Sequence, residues 1–254
     1  MKPEQKFGTK EWAEKNINLF TGNCENGCIY CYAKANNARY KKDGTFLIKE
    51  SILNQKFVKK REYLTMFPST HDIRPENINE VITFLKKFLA SGSPILIVSK
   101  PFDYCISQIC DELEQYKEQI MFRFTVGSFH NSVLEFYEPN APDILDRLKA
   151  IKTAYNKGFK TSLSIEPMLD EYPENIVESL HQYITDDIWI GKMNFPKQRL
   201  ALNNNNSPEI MERVNLLIAF QEDDKNILEI VNRLSEYKSV VWKESVQKVI
   251  DKHK

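Results

Sequence analysis

The sequence predicts an α/β fold: a partial (β/α)6 TIM-type barrel with a C-terminal, mostly helical extension. Three observations predict it. Six short apolar runs are separated by longer runs with helical spacing, the pattern of a sheet whose strands are joined by crossover helices. Polar residues collect just after the apolar runs, as they do at the reactive rim of a barrel. Finally, the chain changes character after "NNNN" at 203–206, which divides a barrel over residues 1–200 from an extension over 201–254.

The candidate strands are "NINLF" (16–20), "EYLTMF" (62–67), "PILIVS" (94–99), "MFRFTV" (121–126), "KTSLSIE" (160–166) and "DIWIG" (187–191). Crossover units in one sheet are parallel and right-handed, so these strands should share one polarity and curl toward an open barrel. One intervening helix presents Ile78, Val81, Ile82, Leu85, Phe88 and Leu89 on a single face. Another presents Ile144, Leu145, Leu148 and Ile151, begins at Pro142-Asp143 and stops at Gly158. The extension reads as helices near 207–221 and 224–236, a short "SVVW" strand and a last helix reaching about residue 252.

The chain has 254 residues, 42% of them hydrophobic, enough for a sizeable core. Lysine plus arginine and aspartate plus glutamate are 35 each, so no global field favours nucleic acid or an anionic membrane. The opening "MKPEQKFGTKEWAEKN" lacks the apolar core of a leader, and no apolar run nears the roughly 18 residues that span a bilayer. A cytoplasmic protein without a membrane partner is expected.

Five cysteines is an odd number, and Cys24, Cys28 and Cys31 fall within eight residues. Without a leader, this favours metal or redox chemistry over a disulfide framework. A closed structural zinc site needs four ligands, and Cys105 and His71 are not placed to complete one. Three thiolates suit three corners of a 4Fe-4S cubane, leaving one iron open for chemistry. Gly22 and Gly27 supply backbone freedom for a tight loop, and Tyr30 offers a flat face beside the cluster. A non-catalytic electron-transfer cluster is the alternative from another class, although such sites normally use four cysteines.

The run "CENGCIYC" resembles the C-x3-C-x-aromatic-C motif of the radical S-adenosylmethionine (radical SAM) superfamily. "CIYCYA", "ILIVSKP" and "VVWKES" are similar to its spore photoproduct lyase-like branch. The resemblance implies an enzyme in which Cys24, Cys28 and Cys31 hold the cluster and the open iron chelates the amino and carboxylate groups of S-adenosylmethionine. An external one-electron reductant of flavodoxin or ferredoxin type drives cleavage to methionine and a 5′-deoxyadenosyl radical. That radical abstracts hydrogen from a substrate left open here as a small molecule, a peptide or a nucleic-acid lesion. Tyr30 becomes an adenine contact. Ser69 and Thr70 stand where the family holds the cofactor's amino group, although its glycine-rich turn is missing.

Lys100, at the end of the third strand, suits the cofactor carboxylate. Thr125 and Ser128 are placed for ribose or carboxylate, and Glu166 for ribose or substrate; each is equally suited to satisfying nearby backbone. Arg123 should point opposite to Phe122 and Phe124, into the barrel, for an anion or for a structural ion pair. His71 reads as an exposed or capped loop residue, Asp72 as the start of a helix, and Glu138 as a substrate contact near the rim. Cys110 reads as core. Cys105, five residues beyond Lys100, faces either the rim, where by resemblance it would donate hydrogen to a radical, or the core as a packed thiol.

Overall fold

The computed structural model describes residues 8–254. The leader reading therefore falls partly on residues 1–7, which lie outside the described residues. Nine strands form: β1 (Lys15–Asn16), β2 (Phe20–Thr21), β3 (Leu47–Ile48), β4 (Thr65–Phe67), β5 (Ile95–Ser99), β6 (Ile120–Thr125), β7 (Lys160–Ile165), β8 (Ile188–Ile190) and β9 (Val240–Trp242). Seven of them make one sheet in the order β1-β4-β5-β6-β7-β8-β9, every pair parallel, and the sheet curls into an open half-barrel. The α/β partial barrel is as expected.

Two details differ from expectation. The first strand breaks in two: Lys15–Asn16 joins the sheet, whereas Phe20–Thr21 pairs antiparallel with Leu47–Ile48 outside it. The apolar run "NINLF" hid this break, because Leu19 and Phe20 are buried whereas the strand Lys15–Asn16 before them is exposed. The second is the tail strand, which supplies a seventh strand through register pairs Ile188↔Val240 and Ile190↔Trp242.

Alternation along the strands sorts their residues. Ile97, Phe122, Phe124, Leu163, Ile165, Ile188 and Ile190, at most 1% exposed, face the surrounding helices. The Ile78–Leu89 and Ile144–Asn156 helices sit as expected. Asp143 caps the second by accepting from the Asp146 N–H at 2.8 Å, and Gly158 ends it at φ +78°. Leu145, read as part of its apolar face, is instead 69% exposed.

Arg123 does point into the half-barrel. Its Nε donates to Ser162 Oγ at 2.9 Å, its guanidinium lies 5.0 and 5.3 Å from the Trp12 and Trp189 rings, and Asp186 is 3.8 Å away. It is a structural ion pair of the inner floor. Among the described residues, no helix is long and apolar enough to cross a membrane.

Ile190→Ala, on the outer face of β8, is expected to lower unfolding free energy by about 2–5 kcal/mol. Leu145→Ala should change it by no more than about 0.5 kcal/mol. Urea titrations of both variants check the inside-outside assignment; equal losses would contradict it.

Candidate active site

The cysteine loop leaves β2 through a turn that admits only glycine. Gly22 has φ +82°, and a Cβ there would lie 2.1 Å from the Thr45 carbonyl oxygen. Gly27 has φ +64° between Cys24 and Cys28. Two separate segments, 137–140 and Asn203, hold the loop. The Ile29 N–H donates to the Tyr137 carbonyl at 3.0 Å, and Asn140 donates through its backbone N–H to Asn26 O at 3.2 Å and through its amide to Glu25 O at 3.0 Å. Asn203, 2% exposed, donates to the carbonyls of Ile29 and Cys31, both at 3.0 Å. Cys31 then caps the helix Tyr32–Arg39, its Sγ accepting from the Lys34 N–H.

Cys24, Cys28 and Cys31 all line one cavity of about 660 Å³ at the C-terminal rim of the sheet. Inner-face alternation carries Val98, Lys100, Thr125 and Glu166 to the same cavity, and the segment after β4 adds Ser69, Thr70, His71 and Asp72. Burial pushes the Cys24 thiol up to about 11 and the Cys28 thiol well above its ordinary value. Thiolates there are stable only beside a strongly positive partner, which an iron–sulfur core would be. Among the described residues, no three His, Cys, Asp or Glu side chains converge on a single-ion position. A cubane requires no such convergence, because each thiolate meets a different iron.

Lys100 is held rather than free. Its Nζ lies 3.2 Å from Asp72 Oδ2 and its N–H donates to Asp72 Oδ1 at 2.8 Å, while Asn26 of the cysteine loop donates to Oδ2 at 2.8 Å. Burial works against both charges. The ion pair outweighs it, holding the Asp72 carboxyl below and the Lys100 ammonium well above their ordinary values. Asp72, read as a helix starter, is thus the hub joining loop and third-strand lysine. Arg74 donates to Asn26 Oδ1 as well, and to the Asn140 carbonyl at 2.8 Å.

A second buried chain fixes Tyr30. Its ring lines the cavity, and its hydroxyl donates to Glu138 Oε1. Glu138 Oε2 accepts from Arg147 Nη2 at 2.5 Å, both side chains being 0% exposed. Arg147 also donates to the Pro142 and Thr125 carbonyls at 2.8 and 3.3 Å. Glu138 is therefore no substrate contact but a buried counter-ion.

The structure brings Tyr30, Ser69, Thr70, Lys100, Thr125 and Glu166 to the cysteine cavity. Ser69 is tied through its N–H to Asn18 Oδ1 at 2.8 Å, and Thr70 Oγ1 lies 2.9 Å from His71 Nδ1. Glu166 lies 3.3 Å from Lys243 Nζ, which comes from "VVWKES" and is 3% exposed. Two residues take the structural one of their two readings, Ser128 accepting from the nearby His130 N–H at 3.0 Å and Cys105 packing as a core thiol. Ser128 is fully buried and donates to Asp170, away from the cavity lining. Cys105 is 0% exposed in the helix-facing core, its thiol pushed up to about 12 by burial, so it does not reach the rim. The helix Asp103–Glu112 turns that first-turn position inward, alongside Ile106 and Ile109. His71, expected to be exposed, is 7% exposed between the Phe20 and Phe46 rings, and burial lowers its pKa.

Sequence reading missed Asp72 as the partner of Lys100, and it missed Asn26, Tyr32, Arg199 and Asn203; Lys192 is on the rim, as the polar strand ends predict. Tyr32 directly follows the last cysteine, and its hydroxyl donates to the Ser69 carbonyl. Its position next to the motif was the available signal; the others meet the site only through tertiary folding.

The radical SAM superfamily model matches residues 18–183. An uncharacterised protein, ORF301, of Acidianus two-tailed virus is 23% identical over 198 residues, 71% of this chain and 64% of that protein. A cysteine-to-serine variant of spore photoproduct lyase superposes with TM-score 0.60 at 18% identity, over 82% of this chain and 65% of the lyase chain. Another variant, with bound S-adenosylmethionine and dinucleoside spore photoproduct, gives TM-score 0.57 at 18% identity over 84% and 64%. At that identity the likeness is one of fold, and the chain spans less than two thirds of the length of these relatives.

Arg147→Met should cost about 3–5 kcal/mol by stranding the Glu138 carboxylate. Adding Glu138→Leu should recover part of that loss. Urea unfolding of the single and double variants checks the coupling; additive losses would show that the two residues act independently.

Proposed function

The chain belongs to the radical SAM superfamily, and on that premise we propose that Cys24, Cys28 and Cys31 bind a 4Fe-4S cluster on which S-adenosylmethionine is reductively cleaved. The observation that carries this reading is the convergence of all three thiols and Lys100 on one rim cavity. When bound and reduced by an external one-electron donor of flavodoxin or ferredoxin type, a cluster held by Cys24, Cys28 and Cys31 would supply the electron for cleaving the cofactor to methionine and a hydrogen-abstracting 5′-deoxyadenosyl radical.

The protein's own residues bind and orient. Lys100 keeps Asp72 as one partner and has further N–H donors for the cofactor carboxylate. Ser69 and Thr70 offer oxygens to the cofactor's amino group, Thr125 and Glu166 face its ribose hydroxyls, and the Tyr30 ring is an apolar wall for adenine. Residues 1–200 carry this chemistry, and 201–254 support it through Asn203 and Lys243. A second reading, lesion repair on nucleic acid, is favoured only by the fold shared with the photoproduct-bound lyase variant.

Anaerobic reconstitution with iron and sulfide, followed by dithionite and S-adenosylmethionine, should yield 5′-deoxyadenosine by chromatography. Alanine at Cys24, Cys28 or Cys31 should abolish both cluster absorbance and product, whereas Cys110→Ala should keep both. Stable cluster binding by Cys28→Ala, or an iron-replete protein unable to cleave the cofactor, would overturn the reading.

A further inference from the structure

We propose that the cavity accepts a small phosphate-bearing substrate, whose phosphate is bound by Arg199 and Lys192. This deepens the reading above and rests on it. The carrying observation is a charge imbalance. The whole chain is neutral, yet the cavity lining holds Lys10, Lys34, Lys100, Lys192 and Arg199 against only Asp72 and Glu166. Both carboxylates are already engaged, Asp72 by Lys100 at 3.2 Å and Glu166 by Lys243 at 3.3 Å. Among the described residues, Lys10, Lys34, Lys192 and Arg199 make no salt bridge, although Glu166 lies within electrostatic reach of Arg199, and Asp224 and Glu222 within reach of Lys192.

The resident groups absorb only part of that excess. Three thiolates leave a cubane complex singly or doubly negative, and a cofactor chelated through its amino and carboxylate groups is neutral overall, its sulfonium offset by its carboxylate, so one or two of the excess positive charges are met. A net positive lining remains for something else to neutralise.

Arg199 and Lys192 are the two best placed to do so. Both leave the C-terminal side of β8, Arg199 on the helix Pro196–Leu202, and both are half-buried. Burial lowers the pKa of each, the mark of a desolvated cation. Arg199 rests 5.8 Å from the Tyr32 ring, and the Lys192 ammonium donates to the Gln221 carbonyl at 3.2 Å, with Glu222 and Asp224 in its wider surroundings. A planar guanidinium fork and a point-charge ammonium lining one cavity are a donor set suited to a phosphate group. Between them stands Phe195, 71% exposed and held at φ +52°, a conformation that bulky residues rarely adopt. Phosphate also occurs in nucleic acid, but the neutral chain offers a long polyanion no attracting field, and the cations lie in one cavity of about 660 Å³.

The test is calorimetric titration of the cluster-loaded full chain with inorganic pyrophosphate, citrate and a single-stranded oligonucleotide. Pyrophosphate should bind, and Arg199→Gln or Lys192→Gln should weaken it at least about tenfold, the scale of one charge-assisted hydrogen bond. Arg199→Lys should retain part of the affinity. Iron content and circular dichroism of each variant separate lost binding from lost structure. No pyrophosphate binding, tighter binding of citrate, or tighter binding of the oligonucleotide with a steep salt dependence would overturn the proposal. 5′-Deoxyadenosine formation by the unsubstituted chain is scored separately. Cofactor cleavage without phosphate binding removes this inference alone, whereas phosphate binding without cleavage removes the parent reading.

Discussion

All seven strands of the main sheet run the same way, and the remaining architecture depends on that. A parallel strand delivers its C-terminal end to one rim and must be returned by a crossover, so chemistry-bearing side chains gather at the rim and apolar helices cover the outside. Period-two alternation does the rest. Within single strands, residues such as Phe122 and Phe124 go to the helix layer while Arg123 and Thr125 go inward. Lys100 and Glu166 reach the cavity by the same parity, one place past the strands that aim them.

The cysteine loop is irregular backbone, and its rigidity is borrowed. Asn140, Asn203 and Asp72 come from distant parts of the chain, and each satisfies polar groups of the loop or of the residue beside it. These contacts fix where three thiols stand before any ligand arrives, so less ordering remains to oppose binding. The linkage between the loop and Lys100 through Asn26 and Asp72 means that the three-cysteine loop and the third-strand lysine are parts of one hydrogen-bonded unit.

Much of this was legible in the sequence because it rests on local pattern. Strand runs, the helix faces at 78–89 and 144–156, the cysteine spacing and the polar strand ends are all short-range signals. Long-range pairing was not legible. Asp72 looked like a helix starter because its partner is 28 residues away, and Glu138 looked like a substrate contact because nothing local marks Arg147 as its partner. Cys105 was left between rim and core for a related reason: only the packing of its helix decides that this first-turn position turns inward. The tail strand was recognised as a strand, but no local signal could show which sheet it would join.

The Tyr30–Glu138–Arg147 chain has a consequence for how this site can drift over evolutionary time. A flat face beside the cysteines could be supplied by phenylalanine or tryptophan, yet here the hydroxyl is one of the two groups that neutralise or solvate a buried carboxylate. Replacing the ring alone leaves Glu138 under-satisfied, and replacing the arginine alone leaves it unpaired. The three positions are therefore tied in inheritance: tyrosine can be exchanged only where residues 138 and 147 change with it.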